Sequence, residues 1–158
     1  SVEDSRRNLA AAMRYDLTRN TMIPLPFALE VLTNLKEGSY RTGLVTDCSA
    51  EVPAIWQETP FAPLFDVAVF SCLAGIKKPD PLIYFLAAEK LAVKPEKCLY
   101  IGDGDSNELT GALAVGMHPV LIRDPKEDSA DVHRIDAEAE LWDGPVISSL
   151  KGIIDYIK

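Results

Sequence analysis

Apolar positions along the chain fall either into helical stripes or into short continuous runs. Leu9, Met13 and Leu17 fall four residues apart, so residues 5–20 are predicted to form a helix with one apolar stripe. Pro24 and Pro26 break that pattern. A second helix is predicted to run to about Lys36, with Phe27, Val31, Leu32 and Leu35 on one side and Gly38 as its C-terminal stop. Strands are predicted at residues 40–46 (YRTGLVT), 65–71 (FDVAVFS), 98–102 (CLYIG) and 119–122, each an apolar run ending in small or polar residues. Between them lie a helical stretch at 53–58 and a helix started by Asp80-Pro81 that carries Ile83, Leu86, Ala87 and Leu91. An Asp cap followed by proline at the first helical position is a strong start signal. A further helix spans 106–115 and stops at Gly116. Residues 124–140, charged and poor in apolar positions, read as a surface loop, and a last helix from about Ser148 shows Leu150, Ile153, Ile154 and Ile157.

Strands that alternate with helices imply a parallel sheet covered on both faces, a three-layer α/β/α sandwich. Function in such sheets gathers beyond the carboxyl ends of the strands. At 158 residues the chain can bury a sizeable core, and its 47% apolar and 25% charged residues are those of an ordinary globular protein. Sixteen basic against 24 acidic residues give a net charge of −8, without a clustered basic stripe. That balance argues against nucleic acid and anionic membrane surfaces as partners. No run approaches the about eighteen apolar residues of a membrane span, and Ser1-Val2-Glu3-Asp4 lacks the features of a signal peptide, so a cytoplasmic setting is expected. Cys48, Cys72 and Cys98 are odd in number and widely spaced, which suits reduced thiols serving as small buried hydrophobes. His118 and His133 are isolated from any zinc-like spacing.

Three strand ends carry the candidate chemistry: Thr46-Asp47, the Gly75-Ile76-Lys77-Lys78-Pro79-Asp80-Pro81 loop, and Gly102-Asp103-Gly104-Asp105-Ser106-Asn107-Glu108. Taken singly, each has a plain structural reading: a cap, a solvated lysine, an acidic turn. Together, in this order, they describe a phosphoryl site. The Thr46 hydroxyl and backbone N–H groups at Thr46–Asp47 suit phosphoryl oxygens, and Lys78 opposes the charge that develops in transfer. Asp103, with Glu108, offers the hard carboxylate oxygens that Mg²⁺ prefers.

These residues resemble the haloacid dehalogenase (HAD) superfamily. GLVTD matches its strand ending in Ser/Thr, with Thr46; GIKKPDP matches its lysine loop, with Lys78; YIGDGDSNELTGALAVGM matches its acidic strand–loop–helix, with Asp103 and Glu108. The resemblance runs from about Pro24 to Pro125. It implies a Rossmann-like sheet and an Mg²⁺-dependent hydrolase of a small phosphorylated metabolite, with Thr46, Lys78 and Asp103 catalytic, Thr46, Asp47 and Lys78 on the substrate, and Asp103 and Glu108 on the metal. Two departures stand out: Asp47, where many relatives carry Asn, and Glu108, where Asp is commoner.

The family's first motif, a strand followed by D-x-D-x-[TV], supplies an aspartate nucleophile and belongs before all of this. The only D-x-D here is Asp103-Gly104-Asp105, in the context of the last motif. The resemblance therefore implies that the first strand, its nucleophile and most of the helical cap are missing, leaving residues 1–20 as a cap remnant and 21–158 as the core. The absent strand would sit between those ending at Thr46 and Gly102. Its slot is expected to be filled by the missing N-terminal segment, by a strand swapped from a second copy, or by closure of the two edges onto each other, and the chain alone is expected to be inactive. Two other readings compete. Metal-free 2-haloacid dehalogenation is opposed by the GDGDSNE loop, and a non-catalytic remnant binding phosphate or a partner is separated by whether an Asp-x-Asp strand lies upstream.

Overall fold

The strands form within the predicted apolar runs but are shorter. β1 spans Gly43–Thr46, β2 Val67–Phe70, β3 Leu99–Gly102 and β4 His118–Ile122; a fifth, β5 at Val146–Ile147, carried no sequence signal. The computed structural model describes residues 2–123 and 137–157. Every strand pairing among them is parallel: β1 with β2, β3 with β4, and β4 with β5. No pairing joins β1 to β3, so the sheet stands in two pieces, ordered β1-β2 and β3-β4-β5. These are the two strands expected to border a further one, and they have not closed onto each other. β4, flanked on both sides, buries Pro119, Val120 and Leu121, whereas Leu44, Val45, Leu99 and Tyr100 are only half-buried. Parallel strands ordinarily need cover on both faces and edges, which explains the contrast.

Eight α-helices occur among the described residues: α1 Val2–Thr21, α2 Ala28–Glu37, α3 Glu51–Ile55, α4 Ser71–Ala74, α5 Pro81–Leu91, α6 Glu108–Ala114, α7 Ala137–Leu141 and α8 Ile153–Tyr156. Side-chain alternation sorts them into layers. Val45, Val67, Val69 and Tyr100 point to one face, where they meet Ile83, Tyr84, Ala87 and Ala88 of α5 and Ala112 of α6. This single cluster spans both sheet pieces and holds them together. On the opposite face two clusters stay separate. Leu99, Ile101, Val120 and Ile122 pack with Val31 of α2 and Ile153 of α8, while Leu44, Ala68 and Phe70 pack around Trp56.

Several local expectations need correcting. The Leu9, Met13 and Leu17 stripe is not buried: these residues are 63%, 63% and 64% exposed, and α1 buries none of its residues. It is held to the rest by polar contacts, Arg14 to Glu51 and Arg19 to Glu58. Phe27 precedes its helix in a left-handed conformation, with Lys151 Nζ 4.1 Å above its ring. Past α2 the left-handed residue is Ser39 (φ 62), not Gly38 (φ −74). Helix α6 starts at Glu108 rather than Ser106, because Ser106 and Asn107 are both left-handed. The loop expected at 124–140 lies mostly outside the described residues, as does His133; its last part, from Ala137, is helical. By contrast, α5 begins as predicted, with the Asp80 carboxylate accepting from Leu82 N–H at 2.9 Å and Pro81 following.

Candidate active site

β1 and β3 both end at the same edge of the fold, and the chain turns there into polar loops. Thr46 closes β1, half-buried, and delivers Asp47 beyond the strand. Asp47 Oδ1 accepts the Lys78 backbone N–H at 3.1 Å, which fastens the loop after β1 to the loop after α4. The Lys78 side chain, 11% exposed, turns inward. Its Nζ donates to Glu108 Oε2 at 2.5 Å, across from the other sheet piece.

Glu108 is the centre of the cluster. It is 4% exposed, and its Oε2 also accepts from Tyr100 O–H at 2.9 Å while Oε1 accepts from Gly104 N–H at 3.3 Å. Its backbone carbonyl takes the Tyr84 hydroxyl at 3.0 Å. Gly102 is required beside it, because any Cβ there would overlap the Glu108 carboxylate. Burial pushes the Glu108 carboxyl above its ordinary range; Lys78 and the Tyr100 hydroxyl pull it back, and the Asp103 charge adds to the rise. Burial likewise raises both Tyr100 and Tyr84, with Glu108 adding to it, so both phenols stay protonated and donate.

Asp103 follows directly on β3, half-buried, and its Oδ1 accepts from Asp105 N–H at 3.1 Å, the self-closing turn typical of Asp. Gly104 is left-handed (φ +88) and lies against Ala139 of α7. From the same helix Glu138, 8% exposed, accepts Leu109 N–H at 3.0 Å and Thr110 N–H at 2.7 Å. These are the orphan donors of the first turn of α6, so a distant carboxylate caps the helix that carries Glu108.

The structure thus brings Asp47, Lys78 and Glu108 into one bonded chain, with Thr46 next to Asp47 and Asp103 close enough to act electrostatically on Glu108. It gives Glu108 partners other than a metal: both oxygens are engaged, one by an ammonium. Among the described residues no group of three or more His, Cys, Asp or Glu is gathered as a metal ion requires. Sequence reasoning missed Tyr84, Tyr100 and Glu138. The two tyrosines look like ordinary apolar positions in a helix and a strand, and Glu138 is one acid in a charged stretch. One expectation fails outright: Cys72 is exposed rather than a buried hydrophobe.

A doubly covered parallel α/β fold with a threonine, a lysine and an acidic loop at its strand tips defines a class of hydrolases. The chain belongs to the haloacid dehalogenase-like hydrolase family, whose model matches residues 5–116. It is 32% identical over 146 residues to a glyceraldehyde 3-phosphate phosphatase of Methanopyrus kandleri, covering 85% of this chain and 62% of that relative. A HAD phosphatase from Thermococcus onnurineus matches with a TM-score of 0.68 at 25% identity, over 84% of this chain and 57% of that one. A 2-haloacid dehalogenase from Pseudomonas syringae pv. Tomato DC3000 matches with 0.67 at 21% identity, over 88% of this chain and 55% of that one, a likeness of fold alone. The chain therefore spans only about three fifths of the curated phosphatase it resembles. No helix among the described residues is long and apolar enough to cross a membrane.

Proposed function

We propose that this chain is the larger part of a phosphohydrolase that acts on a small phosphomonoester through an aspartate nucleophile carried on a segment outside residues 1–158. The observation that carries the reading is the chain of contacts from Asp47 through Lys78 to Glu108, at the carboxyl ends of β1 and β3. It puts a cation, fixed at both its backbone and its ammonium, beside the strand ends where a phosphoryl group would lie. A charge already held in place needs no reorganisation when the transition state forms. Thr46 would give its hydroxyl to a phosphoryl oxygen, and Lys78 would oppose the charge on the transferring group.

Mg²⁺ commonly takes one or two carboxylates and completes its shell with water and substrate oxygens. Asp103 fits as one such ligand. Glu108 is assigned instead to Lys78 and Tyr100, which occupy its carboxylate. When bound, the ion would neutralise phosphoryl charge. The dehalogenase reading is disfavoured by the acidic Asp103 loop and by the phosphatase relatives.

The test is turnover of p-nitrophenyl phosphate and glyceraldehyde 3-phosphate with Mg²⁺, using residues 1–158 and a version extended upstream by the parent gene. Only the extended protein should turn over, and Lys78→Ala in it should lower kcat by about 10²–10³. Equal activity in both lengths would place the nucleophile within this chain and overturn the reading.

A further inference from the structure

Beside the candidate site the loops after β1 and β2 approach each other at two thiols. Cys48 Sγ and Cys72 Sγ stand 3.8 Å apart. Their meeting follows from strand register: Thr46 is paired with Phe70, and the two cysteines lie two residues beyond that pair on their own chains. The backbones are already laced there, with Cys48 N–H donating to Ser71 Oγ at 3.0 Å and the Cys72 thiol to Ser49 O at 3.5 Å. A disulfide has an S–S length of about 2.05 Å, so closure asks the sulfurs to approach by only about 1.8 Å. Cys72 is exposed and Cys48 half-buried, which gives an incoming reagent one sulfur to meet first. Cys98, the third thiol, is engaged elsewhere, with Lys94 O at 3.4 Å.

We propose that Cys48 and Cys72 are a dithiol site that closes to an intramolecular disulfide by exchange with a small-molecule disulfide. The bridge ties the loop holding Asp47 to the segment that leads through Gly75 to Lys78. In the first step the Cys72 thiolate attacks one sulfur of the reagent, forms a mixed disulfide and expels one thiolate. In the second the Cys48 thiolate attacks Cys72 Sγ and expels the other thiolate. The two cysteines are oxidised, the reagent is reduced to two thiols, and the two cysteine protons end on those thiols. Burial, with a contribution from Cys72, raises Cys48 to about 11, so the second step is the slow one and quickens with pH.

Glutathione disulfide is the probe, applied to the folded chain. The product should weigh two hydrogens less than the reduced protein and keep one alkylatable thiol. Cleavage after Glu51 and Glu58, which separates the two cysteines, should yield a linked Cys48–Cys72 peptide with Cys98 free. Cys48→Ser should instead halt with a persistent glutathione on Cys72, and Cys72→Ser should react at neither remaining cysteine on that timescale. For the unsubstituted chain, conversion of adduct to bridge should quicken about tenfold per pH unit below 11, as the thiolate fraction does. A lasting glutathione adduct on Cys72 of the unsubstituted chain, or a bridge that includes Cys98, overturns the proposal.

Discussion

Two carboxylates of this protein are almost equally hidden, each holds a single basic side chain, and they titrate in opposite directions. Glu51 of α3 meets Arg14 of α1 at 2.6 Å, and Glu108 of α6 meets Lys78 at 2.5 Å. Arg14 is 62% exposed, while Lys78 is 11% exposed. The Arg14 guanidinium, helped by Ser49, holds the Glu51 carboxyl down at about 2. Burial, with the Asp103 charge adding to it, outweighs what Lys78 and Tyr100 return, and the Glu108 carboxyl rises. The difference lies in how much water each pair retains: a pair with one partner in solvent behaves as a surface contact, and one with both partners withdrawn pays for desolvation on each side. The first pair tethers a helix that buries nothing. The second joins two sheet pieces and fixes a cation at their tips.

The largest effect should come from breaking the inner pair. Glu108→Ala leaves the Lys78 ammonium and the Tyr100 hydroxyl without their acceptor, and should cost about 3–5 kcal/mol of stability in urea unfolding. Glu108→Gln, which keeps an acceptor for Tyr100, should cost less. A loss for Glu108→Ala no greater than for a surface substitution would mean that the pair is solvated and the contrast is false.

Next in size is the loop that carries Asp103. Gly104→Ala forces an alanine into the left-handed region, for about 1–2 kcal/mol, and sets its Cβ 2.9 Å from Ala139 Cβ and 3.1 Å from Ala139 N. Thermal unfolding should show the loss. Because α7 would be pushed off, the Leu109 and Thr110 amides, now bonded to Glu138, should also exchange faster with solvent.

The smallest effect is also the most diagnostic, since the two pairs should give stability slopes of opposite sign. The folded-state pKa of Glu51 lies below the ordinary 4.5, so its contribution is complete above pH 4.5 and is lost as pH falls toward 2. That of Glu108 lies above 4.5, so the folded chain holds its proton more tightly than the unfolded chain does. Its contribution is greatest below pH 4.5 and declines as pH rises past that value. Urea midpoints measured across pH should lose the acid-side fall in Glu51→Gln and the decline above 4.5 in Glu108→Gln. The same slope in both variants would erase the distinction.

The backbone plan was legible in the sequence where the signal is local. The Asp80-Pro81 start of α5, the four longer strands and the polar residues at their tips each depend on neighbours within a few positions. So the alternation of elements, and with it the parallel α/β class, could be read directly. Thr46 and Asp103 stood out because polar residues ending apolar runs are themselves a local pattern, and Lys78 because of the GIKKPDP loop around it. Less could be read of α1, whose four-residue spacing is a real amphipathic stripe; periodicity says that a face is apolar, not what covers it.

What the sequence by itself determined is therefore the alternation of the main strands and helices, the family and the strand ends at which chemistry is possible. Only the tertiary structure decided partnership: that Glu108 serves Lys78 and Tyr100, that Glu138 caps α6 from 28 and 29 residues along the chain, and that Cys48 and Cys72 face each other. The physical reason is that propensity and periodicity act within a few residues. Burial, charge pairing and the meeting of two loops depend instead on which strands lie side by side, and in this chain β1 and β3 approach without pairing, joined through the side chains of α5 and α6.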